Sequence, residues 1–255
     1  MEIKNLWVIG AGQMVAGIAH VSALGGMTTT LVDVSDEILR KSLVQIRKTM
    51  EKGVALKKIT QEGMDQALGR LRFQTDFEKN IRDADFVIEA VPERIQLKID
   101  LFQKIDLLCR DEVIFASNTS ALSITEMAAV TRRPRRFIGM HFFNPVHLMR
   151  LVEIIRGLET SDDTYRITRE VAERMAKETV EVKESPGFVT SRINVLIGNE
   201  AFYMLQEGVA SAEDIDKALK LGLNHPMGPF ELVDLVGLDT RLSVLEFIHQ
   251  RLGEK

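Results

Sequence analysis

The sequence VIGAGQMVAG, residues 8–17, joins a short apolar run to the start of a helical pattern. Gly10 and Gly12 fill the first two positions of G-x-G-x-x-G, a pattern that lets a backbone turn approach a dinucleotide pyrophosphate. Val15 fills the third position, where glycine ordinarily lets helix and strand lie close together. Overpacking of this kind costs about 1–3 kcal/mol, so we expect Val15 to weaken the site roughly ten- to a hundredfold without abolishing it.

Continuous apolar runs alternate with helical patterns in the first part of the chain. The runs are LWVI (6–9), TTLVD (29–33), DFVIEA (85–90), EVIFAS (112–117) and RFIGMHFF (136–143). Runs without polar alternation are typical of strands that are buried on both faces. The sequence therefore predicts an α/β fold, in which helices cover a mostly parallel sheet.

The pattern changes at Ser185-Pro186-Gly187. Four helical stretches follow, at roughly 188–206, 211–221, 229–236 and 238–252, without another strand run. We therefore predict two domains, 1–184 and an all-helical 185–255, separated where Pro and Gly punctuate the chain. The first of these helices is apolar nearly all round, which predicts a buried central helix.

Composition excludes several classes of protein. The 255 residues include 45% hydrophobic ones and carry a net charge of -4, without a long block of one sign. This balance favours a soluble globular protein and does not indicate the excess of positive charge that binds nucleic acid or an anionic membrane. A single cysteine, Cys109, excludes an intrachain disulfide, and MEIKNLWVIG (1–10) does not resemble a signal peptide. We expect a cytoplasmic protein, with no histidine or cysteine spacing that suggests a metal site.

Asp33 follows the second strand run. At that position a carboxylate accepts hydrogen bonds from both ribose hydroxyls and repels a 2′-phosphate. The sequence therefore predicts NAD rather than NADP as the cofactor.

Polar groups cluster where two later strand runs end. SNTSALSI (117–124) and GMHFFNP (139–145) follow these runs, and the carboxyl ends of parallel strands line the ligand crevice. Glu153 lies in the apolar stretch LVEII, where an isolated carboxylate is costly. We expect it to pair with His141, to orient the ring and to stabilise its charged form as a general base.

Six motifs together resemble the L-3-hydroxyacyl-CoA dehydrogenases, the bacterial 3-hydroxybutyryl-CoA dehydrogenases most of all. They are GAGQM, SNTS, HFFNP, LVEIIRG, SPGFV and HPMGPFELVDLVGLD, and the resemblance runs from Ile3 to Lys255. It implies a Rossmann-type domain, a helical C-terminal domain and a homodimer. It also implies the reversible, NAD-dependent oxidation of L-3-hydroxyacyl-CoA to 3-ketoacyl-CoA, as in fatty acid β-oxidation.

The resemblance assigns roles to residues of this chain. His141 is similar to the catalytic base, Glu153 to the acid that orients it, and Ser120 to the serine that binds the substrate oxygen. The expected cofactor contacts are Gly10, Gly12, Gln13, Met14, Asp33, Glu93, Lys98 and Asn118.

One family position differs. After SPGF the family usually reads V-x-N-R, whereas this chain has Val189-Thr190-Ser191-Arg192. Ser191 is shorter than asparagine but still donates a hydrogen bond, which is worth roughly 0.5–1.5 kcal/mol. Asn194 lies on the same helix face and is the alternative donor, or a residue without a catalytic role.

Two basic segments stand out. The first, residues 40–58, fits the family's use of this region for CoA, and we expect Thr49, Lys52 and Lys57 to bind substrate together with Ser120 and Asn144. The second, TRRPRRF (131–137), reads as a solvated loop. The chain ends at RLGEK, whereas the family continues through a further basic, glycine-rich segment.

One other function stays open, and two more are disfavoured by the expected pairing of His141 with Glu153. A catalytically weak or silent relative would be a binding or structural protein of the crystallin type. A dehydrogenase of sugar acids would require a lysine base in the second domain, and a methyltransferase would leave His141 and Glu153 unexplained.

Overall fold

A computed structural model of the chain describes residues 1–10 and 12–253. The chain divides into two compact units, Met1–Glu184 and Ser185–Lys255. Within the described residues, no helix combines the length and apolarity that a membrane crossing requires.

The first unit is built on one sheet of eight strands, which confirms the predicted fold class. The strands are β1 (Asn5–Ile9), β2 (Thr28–Val32), β3 (Leu71–Gln74), β4 (Phe86–Glu89), β5 (Ile114–Ser117), β6 (Phe137–Phe142), β7 (Leu151–Arg156) and β8 (Glu178–Lys183). Their order is β3-β2-β1-β4-β5-β6-β7-β8, and every pair is parallel except β6 with β7. Strands β2 and β3 are added on one side of β1, and β4 and the later strands on its other side. A ligand crevice forms at the carboxyl ends of β1 and β4, where this order reverses.

In the described part of this unit, six α-helices accompany the sheet. They are α1 (Gln13–Leu24), α2 (Asp36–Ala55), α3 (Gln61–Arg70), α4 (Ile95–Leu108), α5 (Ile124–Ala129) and α6 (Asp162–Arg174). The main core joins α1 to the central strands and includes Leu6, Ile18, Leu31 and Phe86, all fully buried.

The segment 131–137 is not a solvated loop. Arg133 is 6% exposed, and its Nε donates to Asp106 Oδ1 on α4 at 2.6 Å. Its guanidinium also lies over the Phe115 ring, 4.8 Å from the centroid. The basic cluster is therefore partly a buried ion pair, because α4 supplies a carboxylate that the local sequence does not reveal.

Up to residue 253, the second unit contains four helices: α7 (Thr190–Gln206), α8 (Ala212–Gly222), α9 (Pro229–Val236) and α10 (Leu238–Leu252). The prediction that the first of them is a buried central helix is wrong. Only Val195, Gly198 and Ala201 of α7 are buried, while Ile193 and Leu196 are 56% and 41% exposed. Apolarity around a helix identifies surface that must be covered, and it does not show whether the same chain covers it.

Candidate active site

The β1–α1 turn has the backbone conformation that its glycines predict. Gly10 has φ of +132°, and a Cβ there would lie 2.5 Å from the carbonyl oxygen of Ala90. Gly12 has φ of +107°, and a Cβ there would meet no atom of the described chain within 4 Å. Gly10 thus permits the turn to lie close to the end of β4, and Gly12 leaves space in front of the N-terminus of α1. Ala11 lies outside the described residues.

The first turn of α1 suits an anionic group. Its N-terminus has no side-chain cap and no acidic residue. The backbone N–H groups and the positive end of the helix dipole therefore remain available to a pyrophosphate. Asp33 directly follows β2, is 6% exposed, and accepts a hydrogen bond from the Ser35 N–H at 3.1 Å. Together these features fit NAD.

Two neighbouring residues of α1 lie in tight surroundings. Val15 is 1% exposed and belongs to the main core. A Cβ on Gly17 would lie 2.8 Å from Val146 Cβ, so the bare face of this glycine is occupied by Val146. Met14, an expected cofactor contact, is partly buried and packs against the same core.

His141 and Glu153 are brought together by strand pairing. They are direct partners in the antiparallel register of β6 and β7. His141 Nδ1 lies 2.7 Å from Glu153 Oε2, and the two side chains are 7% and 0% exposed. The Phe143 ring flanks the imidazole, with 4.5 Å between the centroids.

The loop that carries Ser120 is held by Glu93. Glu93 Oε1 accepts hydrogen bonds from the Ser120 N–H at 2.9 Å and from the Thr119 hydroxyl. Its other oxygen, Oε2, lies 3.2 Å from Lys98 Nζ. Ser120 itself is half-buried at the carboxyl end of β5.

Two expected cofactor contacts bind other parts of the protein. Lys98 is fully buried, and its ammonium donates to Glu89 Oε1 at 2.7 Å. Asn118 Oδ1 accepts the Phe142 N–H at 3.0 Å. Sequence reasoning missed Glu89, because it lies within DFVIEA (85–90) and reads as part of an apolar strand run.

One face of α2 lines a cavity of about 550 Å³ that reaches the cofactor turn. Thr49 and Asn144, both expected to bind substrate, line it, and Asn144 Nδ2 lies 3.5 Å from Gln13 Oε1. Lys52 and Lys57 are exposed and are not among its lining residues.

Sequence reasoning missed most of the lining of this cavity. Members on α2 include Ile38, Lys41, Ser42, Gln45, Ile46 and Thr49, and the loop after β6 adds His147. The α2 residues of the cavity are spaced three or four apart, so they lie on one face of the helix. This spacing could have predicted them from the sequence.

The predicted oxygen-binding residue of the second unit lies at the start of α7. Ser191 is half-buried there. Asn194 lines a separate groove of about 330 Å³, together with His225 and Met227. The Asn194 carbonyl also accepts a hydrogen bond from Arg241, a buried side chain of α10.

Comparison with known proteins identifies the family. Residues 5–185 match the family model of the 3-hydroxyacyl-CoA dehydrogenase NAD binding domain, and residues 187–255 match that of the C-terminal domain. The chain belongs to the 3-hydroxyacyl-CoA dehydrogenase family. The comparisons thus confirm the resemblance, the class of enzyme and NAD as the cofactor.

Individual relatives align over nearly the whole chain. A probable 3-hydroxybutyryl-CoA dehydrogenase of Bacillus subtilis is 45% identical over 254 residues, which cover 100% of this chain and 88% of the relative. The human mitochondrial hydroxyacyl-coenzyme A dehydrogenase is 41% identical over 99% of this chain and 82% of its own length. The crystal structure of (S)-3-hydroxybutyryl-CoA dehydrogenase from Ralstonia eutropha aligns with a TM-score of 0.95 at 43% identity, covering 99% of this chain and 89% of that one.

Proposed function

We propose that this chain catalyses the reversible oxidation of a short-chain L-3-hydroxyacyl-CoA, such as 3-hydroxybutyryl-CoA, to the 3-ketoacyl-CoA. One observation carries the proposal: His141 Nδ1 lies 2.7 Å from the buried carboxylate of Glu153, at the carboxyl end of the sheet. The names of the relatives from Bacillus subtilis and Ralstonia eutropha support the substrate class.

In the proposed mechanism, His141 exchanges a proton with the substrate. The Glu153 carboxylate accepts a hydrogen bond from Nδ1–H, so the lone pair of the neutral ring is on Nε2. Nε2 removes the proton of the C3 hydroxyl in oxidation and returns it in reduction. Glu153 stabilises the imidazolium that forms in oxidation. When bound, NAD supplies the hydride acceptor.

Ser120 holds the substrate oxygen in this mechanism. Its hydroxyl donates to the oxygen on which charge develops, while Glu93 fixes its backbone. We propose Ser191 as a second donor, with Asn194 as the alternative. Ser191→Ala and Asn194→Ala should separate them, and unchanged kcat in both variants would remove α7 from the chemistry.

The test of the proposed activity is direct. Purified protein is mixed with NADH and acetoacetyl-CoA, and the nicotinamide absorbance is followed over time. We expect turnover, with the greatest kcat/KM at short acyl chains, and loss of kcat by at least about a hundredfold in His141→Asn. NADH binding without turnover in the wild-type protein would instead favour the silent, structural alternative.

We propose that α2 and the turn after it bind the CoA moiety. Thr49 lines the α2 cavity, and Lys52 and Lys57 lie nearby in sequence as exposed cations. Replacing both lysines by alanine should raise KM for acetoacetyl-CoA and leave KM for acetoacetyl-pantetheine, which lacks the nucleotide phosphates, unchanged. Lys104→Ala, an exposed lysine of α4, is the control.

We also propose a homodimer that forms through the second unit. Apolar side chains of α7, such as Ile193, Leu196 and Phe202, are exposed in the single chain. A surface of this kind is typical of a subunit interface. Sedimentation should give a dimer, and Leu196→Asp should shift it toward the monomer.

A cytoplasmic location is the remaining proposal. The single cysteine of the sequence supports a reducing compartment. Fractionation of the native cells should place the protein with the soluble cytoplasmic enzymes, and recovery from an extracellular fraction would contradict this.

A further inference from the structure

We propose that Glu89, the last residue of β4, is a positioning residue that acts through Lys98 to fix the backbone beside both Ser120 and His141. The inference rests on the proposed function, because it assigns Ser120 and His141 to the reaction. Lys98 and Glu93 lie between Glu89 and Ser120, and Lys98 and Asn118 lie between Glu89 and the residue after His141.

Glu89 is a buried carboxylate that accepts three hydrogen bonds. It is 0% exposed. Its Oε1 accepts from the Val91 N–H at 2.7 Å and from Lys98 Nζ at 2.7 Å, and its Oε2 accepts from the Ser117 hydroxyl at 2.5 Å. Because Glu89 and Ser117 are register partners on β4 and β5, the carboxylate ties the ends of two strands together.

Lys98 extends this contact to two loops. Its ammonium is fully buried and lies 3.2 Å from Glu93 Oε2. It also donates to the backbone carbonyl of Asn118 at 3.4 Å. One cation on α4 therefore joins the end of β4 to both segments that lead into the site.

Each branch ends on the backbone of a functional segment. Glu93 accepts the Ser120 N–H at 2.9 Å. Asn118 Oδ1 accepts the N–H of Phe142 at 3.0 Å, and Phe142 directly follows His141. Without the Glu89 charge, Glu93 would be the remaining acidic partner of Lys98. We expect the ammonium to shift toward Glu93 and to displace the two loops that it holds.

Burying the charges of Glu89 and Lys98 costs free energy, and a role in positioning the site accounts for that cost. Desolvation raises the pKa of Glu89, and the neighbouring Lys98 ammonium opposes that effect. Buried ion pairs are often no more stabilising than apolar side chains of the same volume. A role limited to stability would therefore be filled equally well by an uncharged pair.

Helix α4 carries a second buried ion pair that serves as a matched control. The side chains of Asp106 and Arg133 are each 4% exposed, with 2.6 Å between Oδ1 and Nε. This pair fastens the other end of α4 to the segment 131–137. Arg133 also donates to the backbone carbonyls of residues 106, 109 and 110, and Asp106 also accepts hydrogen bonds from Arg132.

The test compares Glu89→Gln with Asp106→Asn by two measurements. In Glu89→Gln, kcat for acetoacetyl-CoA reduction should fall by about ten- to a hundredfold, with KM for the acyl-CoA within about twofold of wild type. Amide hydrogen exchange at Ser120 and Phe142, measured without ligands, should accelerate. Asp106→Asn should lower the melting temperature but change neither kcat nor the exchange at these two amides.

A second variant, without a charge at either position, covers the case in which the single variant does not fold. If Glu89→Gln does not fold, the double variant Glu89→Gln, Lys98→Met is measured in its place, and it should fold while keeping the low kcat and the fast exchange. Wild-type kcat and exchange in the folded variant would overturn the inference. Equal losses in Asp106→Asn would also overturn it, because they would indicate a general loss of rigidity.

The two proposals fail in different ways. If the wild-type protein does not reduce acetoacetyl-CoA, the proposed function is wrong. The exchange rates of Ser120 and Phe142 then decide the positioning role alone, since they are measured without turnover.

Discussion

His141 and Glu153 face each other across the antiparallel pair β6–β7, with Nδ1 2.7 Å from Oε2. Direct pairing in the register means that the sheet itself sets this distance. A loop would allow the two groups to separate, whereas adjacent strands keep cross-strand side chains in contact. The proposed base and its acid are therefore in contact without a bound substrate.

Glu153→Gln should lower kcat for acetoacetyl-CoA reduction by about a hundredfold with little change in KM. The amide keeps the shape of the carboxylate but cannot stabilise the charged imidazole. Steady-state kinetics would measure the effect, with the exposed Glu159→Gln as the control. A kcat within twofold of wild type would show that the carboxylate does not assist His141.

Gly10→Ala should abolish NAD binding and destabilise the protein by roughly 3 kcal/mol. The added Cβ would lie 2.5 Å from the Ala90 carbonyl oxygen, and φ of +132° disfavours any L side chain. Gly69→Ala is the matched control, because a Cβ there meets nothing within 4 Å and the residue lies in α3. It should be neutral or slightly stabilising. Calorimetric titration and thermal unfolding would check both variants, and equal stability of the two would contradict the geometric argument.

His20 should make stability depend on pH below about 6.5. Burial, together with the positive charges of His147 and Lys177, lowers the pKa of His20 from 6.5 to about 4. The unfolded chain therefore gains a proton as pH falls through 6.5, whereas the folded protein gains it only near pH 4. This difference should cost about 2 kcal/mol of stability at pH 5 and nothing above pH 7.

His20→Gln removes this dependence. Denaturant unfolding at pH 7 and pH 5 should give a smaller loss for the variant than for the wild type. His249→Gln, which replaces an exposed imidazole of α10, is the control and should keep the wild-type loss. An equal loss in His20→Gln would show that other groups cause the pH dependence.

The sequence predicts elements whose signal is local. The two-sided burial of β4 and β5 gives continuous apolar runs, and the bounds of α9 and α10 agree with the predicted 229–236 and 238–252. The strands β3, β7 and β8 were not predicted. The edge strands β3 and β8 expose part of their surface and lack such runs, and the sequence of β7 was recognised only as an apolar stretch around Glu153.

Contacts between distant segments account for the rest. Lys98 was expected to contact the cofactor, and only the fold shows that its ammonium binds Glu89. Ser117, which completes the cluster, is 28 residues from Glu89. Arg133 and Asp106 are hidden from local patterns for the same reason. The pairing of His141 with Glu153 was predictable because a carboxylate in an apolar stretch requires a partner and because the family resemblance implies the same pair.

Val15→Gly should tighten NAD binding and weaken the fold at the same time. If the branched side chain holds α1 away from its strand, glycine should lower the Kd for NAD by about tenfold or more. Val15 is 1% exposed within the main core, so its removal also leaves a cavity and places glycine inside a helix. Both effects should cost roughly 2–4 kcal/mol of unfolding free energy.

Val15→Ala separates these two effects, because it keeps a good helix former while removing most of the bulk. Its NAD affinity should lie between those of the wild type and Val15→Gly, with a smaller loss of stability. Calorimetric titration with NAD and urea unfolding would measure the series. Equal affinities in all three proteins would mean that the approach permitted by Gly10, and not the residue at position 15, sets how closely the cofactor turn meets the sheet.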